Sequence, residues 1–120
     1  MATATKTKRT LLSSTSVSAG STQALTEVNL STALGGTLTV KITNGSTGPT
    51  TDSTVKIYVG HATTEEKLFA QATAGQTNNG VYEFIFQIPS SVMFLGGDII
   101  SGATNGITAE AFLSELTSVG

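Results

Sequence analysis

A period of two constrains this chain more than any other feature. Over residues 37–43, Leu38, Val40 and Ile42 alternate with Thr39 and Lys41, and over residues 55–59 Val55, Ile57 and Val59 alternate with Lys56 and Tyr58. Successive side chains of an extended strand point to opposite faces, so each segment acquires one apolar and one polar face. A helix would scatter the same residues around its circumference. Residues 81–88 repeat the pattern with larger groups: Tyr82, Phe84, Phe86 and Ile88 share one face, while Val81 and Ile85 sit among Glu83 and Gln87 on the other. Aromatic side chains bury the most area, so this strand is expected to make the largest single contribution to the core. With 22 threonines and 13 serines among 120 residues, and 13 glycines, the composition favours pleated strands and turns over helices.

The remaining segments fit the same architecture. Residues 11–19 and 25–30 read as two short strands and residues 67–73 as an edge strand, with residues 90–95 forming a short helical turn at a corner. Asn44-Gly45-Ser46-Thr47-Gly48-Pro49 marks a loop, because glycine permits positive φ and proline cannot donate to a ladder. The strands on either side of that loop are expected to pair as neighbours. Asn105-Gly106 suits a type I′ hairpin, which would set Ile100 opposite Ala111 and Ile99 opposite Phe112. About seven strands at regular intervals imply an all-β fold, an immunoglobulin-like antiparallel β-sandwich, with a jelly roll or a small β-barrel as alternatives.

Charge separates the start from the rest. Residues 1–10 hold Lys6, Lys8 and Arg9, three of the six basic groups, and none of the eight acids. With no apolar face to bury, they read as a basic N-terminal arm that needs something to hold it, ahead of a single sandwich domain over residues 11–120. Cations ahead of Leu11 and Leu12 imitate a secretory signal, but Ser13, Ser14, Thr15, Ser16 and Ser18 interrupt the apolar stretch, so the segment is expected to be retained. No window approaches the roughly 18 continuous apolar residues of a membrane span.

The search for chemistry returns little. Without cysteine, neither a disulfide framework nor a thiolate metal site can form. His61 is the only histidine; with Glu65 and Glu66 it reads as a solvated loop, since a strong metal site needs several convergent ligands. A serine or threonine nucleophile would have only that histidine as its imidazole base, and no nucleophile-elbow motif supports one. Glu110 and Glu115 fall on opposite faces of a regular strand, the wrong arrangement for paired acid–base work. Asp98 follows Gly96-Gly97 and reads as a turn carboxylate, because no alternating acidic loop accompanies it. The glycines match no phosphate-cradling motif, and the arm lacks the interleaved aromatics of a nucleic-acid surface. Two glycosylation triplets, at Asn29 and Asn44, are common by chance in a hydroxyl-rich chain. No catalytic residue, metal or cofactor is implied, and an enzyme is not expected.

The segments Gly36-Thr37-Leu38-Thr39-Val40-Lys41-Ile42-Thr43-Asn44, Val55-Lys56-Ile57-Tyr58-Val59 and Ile107-Thr108-Ala109-Glu110-Ala111-Phe112 resemble small immunoglobulin-like proteins of tailed-bacteriophage virions, of the capsid-decoration or head-fibre-base type. The resemblance covers roughly residues 25–117. It implies a structural virion protein that binds the assembled head, with the major capsid protein or another virion protein as partner, located in the virion and assembled in the bacterial cytoplasm. A homo-oligomer stays open, a membrane is not implied and nucleic acid is disfavoured. Lys6, Lys8 and Arg9 are the expected electrostatic contacts, and Ile99 and Phe112, or the opposite face of the same hairpin, the expected apolar ones. An adhesive or carbohydrate-binding sandwich is the alternative, with the loops around residues 44–52 and 76–80 as the sugar-holding elements.

Overall fold

The alternating segments form nine strands in a computed structural model that describes residues 4–62 and 66–119. They are β1 (Ala4–Val17), β2 (Thr22–Ala24), β3 (Val28–Asn29), β4 (Gly36–Asn44), β5 (Ser53–Gly60), β6 (Lys67–Ala74), β7 (Val81–Ile88), β8 (Phe94–Ile100) and β9 (Ile107–Val119). Two antiparallel sheets result, in the orders β1-β9-β4-β7 and β2-β8-β5-β6, with β3 also pairing with β8. The antiparallel sandwich is therefore as expected, and it is not a closed barrel. With β2 and β3 taken as one broken strand, β1 pairs with β9, β2/β3 with β8, β4 with β7 and β5 with β6. That is a long hairpin rolled over itself, the connectivity of the jelly-roll alternative.

The core lies between the sheets. Leu38, Val40 and Ile42 of β4 and Ala109, Ala111 and Leu113 of β9 meet Val55 and Ile57 of β5 and Leu95 and Ile99 of β8, all fully buried. Burying each large side chain contributes roughly 1.5–3 kcal/mol before ordering entropy is deducted. Tyr82, Phe84 and Phe86 do share the inner face of β7, but they are only half-buried because β7 is an edge strand. The fully buried core is accordingly aliphatic, and Ile85, on the outer face of β7, is 67% exposed.

Two expected pairings are corrected. β4 and β5 do not lie side by side; β4 runs between β9 and β7, whereas β5 runs between β8 and β6 in the other sheet. Their buried faces oppose each other across the core. Likewise, β8 and β9 do not form a hairpin, because residues 101–106 cross from one sheet to the other. The left-handed residue of that crossing is Thr104, at φ 74°, and not Asn105-Gly106. Residues 90–91 form a turn, closed by the Val92 amide donating to the Pro89 carbonyl at 3.2 Å, and the chain enters β8 at Phe94 without a helix. Asp98 belongs to β8, opposite Lys56, and is not in a turn. β6 is an edge strand, as its weak alternation suggested.

The far end is sewn together by side chains. Asn44 donates from Nδ2 to the carbonyls of Gly75 and Thr77, at 3.0 and 2.9 Å. The Gly48 amide donates to Asn78 Oδ1 at 2.8 Å, and Gln76 Nε2 to Asp52 Oδ1 at 2.9 Å. At the opposite end β1 and β9 run on together, and the boundary drawn at residue 10 falls inside β1.

Candidate functional site

The register of β1 on β9 runs from Ala4↔Val119 through Lys6↔Leu116 and Lys8↔Ser114 to Thr10↔Phe112. β4 accompanies β9 only as far as Gly36↔Glu115, so beyond that point β1 alone continues the ladder with β9. Loop backbone extends the junction: the Leu34 amide donates to the Leu116 carbonyl at 2.7 Å, and the Leu116 amide to the Gly35 carbonyl at 2.9 Å. Gly35 is left-handed, at φ 75°, and a Cβ there would come within 2.8 Å of the Pro89 backbone. Any other residue would therefore distort the loop that carries Leu34.

Strand alternation then sorts the side chains. Lys6, Lys8 and Thr10 lie on the outer face with Leu116, Ser114 and Phe112, whereas Thr7 and Arg9 lie on the inner face with Glu115 and Leu113. The Lys8 ammonium stands over the Phe112 ring, 4.4 Å from its centroid, within the range in which a cation is attracted to an aromatic quadrupole. Glu115 is 2% exposed and is ion-paired with Arg9, whose side chain is half-exposed. A carboxylate buried without such a partner would be strongly unfavourable, so this pair fastens the first half of β1 to the sheet.

Beside Lys6, the outer face holds a groove of about 550 Å³ lined by Lys6, Leu34, Thr37, Gln87, Ser114 and Leu116. The Thr37 hydroxyl donates to Gln87 Oε1 at 3.2 Å across its floor, and Leu34 is exposed. Further along, Lys41 faces Glu110 at 3.8 Å. Of the residues expected at a partner contact, Lys6, Lys8 and Phe112 meet on this face. Arg9 turns inward to Glu115, and Ile99 is fully buried between the sheets, where no partner can reach it. Leu34, Leu116 and the buried Glu115 were not anticipated. The available signal was Glu115 itself, which continues the inward series Ala109, Ala111, Leu113 as the one charged member.

Other chemistry is dispersed. His61 lines a cleft of about 560 Å³ with Val59, Gly60, Lys67, Ser91 and Val92. Ser91 contributes a hydroxyl to the same lining, but no carboxylate is among the described lining residues; Glu65 lies outside the described residues. The Glu66 carboxyl is raised to about 7 by burial, by a hydrogen bond with Glu27 and by the charge of Glu27. Gly96 makes room for this acid pair, since a Cβ there would lie 3.2 Å from the Glu66 carboxylate. Among the described residues, no three metal-ligating side chains cluster, and no helix is long and apolar enough to cross a membrane. The two loops expected to hold a sugar do lie together, but the amide groups of Asn44 and Gln76 donate to the protein itself.

No protein-family model matches the chain, and no curated protein matches it. Its fold is similar to solved structures at low identity. A chain of infectious bursal disease virus, Gx strain, matches with TM-score 0.64 and 15% identity over 93% of this chain and 32% of that one, so this chain spans about a third of its length. The K3 cleaved adhesin domain of Lys-gingipain from Porphyromonas gingivalis matches with TM-score 0.55 and 12% identity, over 94% of this chain and 73% of that one. The protein YomS, derived from the SPBc2 prophage, matches with TM-score 0.50 and 19% identity over 93% and 95%. At these identities the likeness is one of fold: a two-sheet β-sandwich found in a virus chain, a prophage protein and an adhesin domain.

Proposed function

We propose that this protein is a non-enzymatic structural component of a virion, of the capsid-decoration type in a tailed bacteriophage, that docks on the assembled head. The observation that carries this reading is the outer face at the β1 end, where exposed Lys6 and Lys8 have no carboxylate partner among the described residues and stand beside Phe112 and Leu34. Free cations next to apolar surface suit a contact whose charges steer the encounter and whose apolar groups hold it. Repetition supplies the rest: on a lattice of identical sites, linked copies turn a modest contact into stable occupancy. The partner is then the major capsid protein or another virion protein, and the location is the virion, assembled in the host cytoplasm. The fold likeness to a virus chain and a prophage protein supports this reading. Particles purified from the encoding phage should contain the chain in stoichiometric copy number, and deleting residues 1–10 should strip it from them. Absence from particles, or full occupancy without those residues, refutes the proposal.

A second reading, an adhesive or carbohydrate-binding module, draws on the His61–Lys67 cleft and on the likeness to an adhesin domain. Glycan-array binding that is lost in Lys67→Ala would favour it over head docking.

A further inference from the structure

Among the described residues β1 is the longest strand, at 14 residues, and it forms one edge of its sheet. One side of it is paired to β9; along the other, no described strand lies beside residues 5–10, and further on the Leu11 carbonyl accepts from the Thr26 amide at 2.9 Å. Residues 5–10 are also exposed on both faces, so an incoming strand would meet no obstruction there. Native sheets commonly blunt such edges with lysine, and this one carries Lys6, Lys8 and Arg9. Blunting against like strands is at the same time selection for unlike ones. A second copy aligned antiparallel on β1 would set lysine near lysine, whereas a strand bearing carboxylates would gain from the same positions.

The spacing makes the selection specific. The register from Lys6 to Thr10 is unbroken, so Lys6 and Lys8 project from the same face, about 7 Å apart along the strand. Arg9 projects from the other face and is already held by Glu115. The outer side of the edge therefore offers two cations at alternate positions and no acid. Carboxylates at positions i and i+2 of an extended segment have the same repeat, while adjacent carboxylates point to opposite faces and can satisfy only one of the two lysines.

We infer that the free edge of β1 takes an acidic, extended segment of a partner protein as an added strand of the β1-β9-β4-β7 sheet, with two alternate carboxylates on Lys6 and Lys8. Backbone pairing supplies the affinity, and the lysine spacing supplies the choice of partner. This rests on the docking reading and names the chemistry of what docks.

The test uses the full chain and two synthetic strands of identical composition, Thr-Val-Glu-Thr-Glu-Val-Thr and Thr-Val-Glu-Glu-Thr-Val-Thr, titrated by fluorescence anisotropy, with amide hydrogen exchange as the structural readout. The alternating strand should bind roughly tenfold tighter, protect amides of residues 5–10, and lose binding in the Lys6→Glu/Lys8→Glu double variant, which should keep a cooperative unfolding transition lowered by no more than a few degrees, the scale of the lost Lys8–Phe112 contact. Equal binding of the two strands, protection elsewhere, no binding at all, or preferential binding of a single-stranded oligonucleotide overturns the inference. Self-association of the chain that disappears in the double variant also overturns it, by making a second copy the occupant. On purified particles the two proposals separate. Occupancy lost in the double variant together with equal binding of the two strands defeats the added strand and leaves head docking intact, whereas absence of the unmodified chain defeats head docking without touching the peptide result.

Discussion

Glu115 shows how a single residue can decide where a strand goes. Its carboxylate occupies an inward position of β9 that the preceding residues fill with Ala109, Ala111 and Leu113, and Arg9 reaches from β1 to neutralise it. Truncating Arg9 would leave a buried charge unpaired, so Arg9→Ala should cost about 2 kcal/mol, less than a fully buried pair because Arg9 keeps access to water. Glu115→Gln in the same chain should restore most of that loss, and urea unfolding of the two single variants and the double variant measures the coupling. Equal losses in Arg9→Ala and in the double variant would mean that the pair does not act as one. Glu66 makes the opposite case, an acid whose pKa is raised to about 7 by burial and by Glu27. Its folded value near 7 lies above the ordinary 4.5, so across that window the folded chain binds more protons than the unfolded one. Stability from this group is full below about pH 4.5 and falls as pH rises through 7. Melting temperatures from pH 4 to 8.5 should show this fall, and Glu66→Gln should flatten the profile between about pH 4.5 and 7.

At the scale of the element, alternation states which face of a strand is buried but leaves its neighbour undetermined. β4, β5 and β7 were legible because Leu38, Val40 and Ile42, then Val55 and Ile57, then Tyr82, Phe84 and Phe86 fix an inner face without reference to the rest of the chain. The partner of β4 was not legible. Two strands that oppose each other across a core carry the same pattern as two that pair in one sheet, and only the crossing loop distinguishes them. The supposed β8–β9 hairpin failed for a related reason: Asn105-Gly106 suits a tight turn, but the backbone from residue 101 onward crosses between the sheets, with the Gly102 amide held by the Ser53 hydroxyl at 3.0 Å. That error carried Ile99 into the candidate site. Lys6 and Lys8 share one face because β1 pairs regularly from Lys6 to Thr10, a strand that the reading of residues 1–10 as an arm did not foresee. β9 offers the direct test of face assignment, since Leu113 is fully buried and its neighbour Phe112 lies on the outer face. Leu113→Ala should cost about 2–5 kcal/mol in chemical denaturation. Phe112→Ala should cost under about 1 kcal/mol, the scale of its contact with Lys8.

For the whole molecule, the rolled hairpin makes the first and last described strands partners, with Ala4 opposite Val119. Nearly the entire chain must be looped before that pairing forms, which predicts slow folding, in the millisecond-to-second range typical of β topologies dominated by distant contacts. Joining residue 120 to residue 1 and opening the chain in the exposed turn at residues 18–21 would turn β9 and β1 into consecutive strands linked by Gly120, Met1, Ala2 and Thr3. Shortening that closing loop from more than 100 residues to about four lowers the cost of this one closure by roughly 3 kcal/mol on a logarithmic scale, while the cut at residues 18–21 gives up a short connection in exchange. Parent and permutant have the same number of residues and the same contacts, so the permutant should keep the sandwich at nearly unchanged equilibrium stability. Stopped-flow refolding then reports when the pair forms: if β1·β9 contacts are present in the transition state, refolding and unfolding accelerate together, and if they form later, both rates stay constant. A permutant that loses the sandwich altogether would show that the β1–β2 connection, and not the pairing with β9, fastens the basic end of β1 to the body it is proposed to anchor.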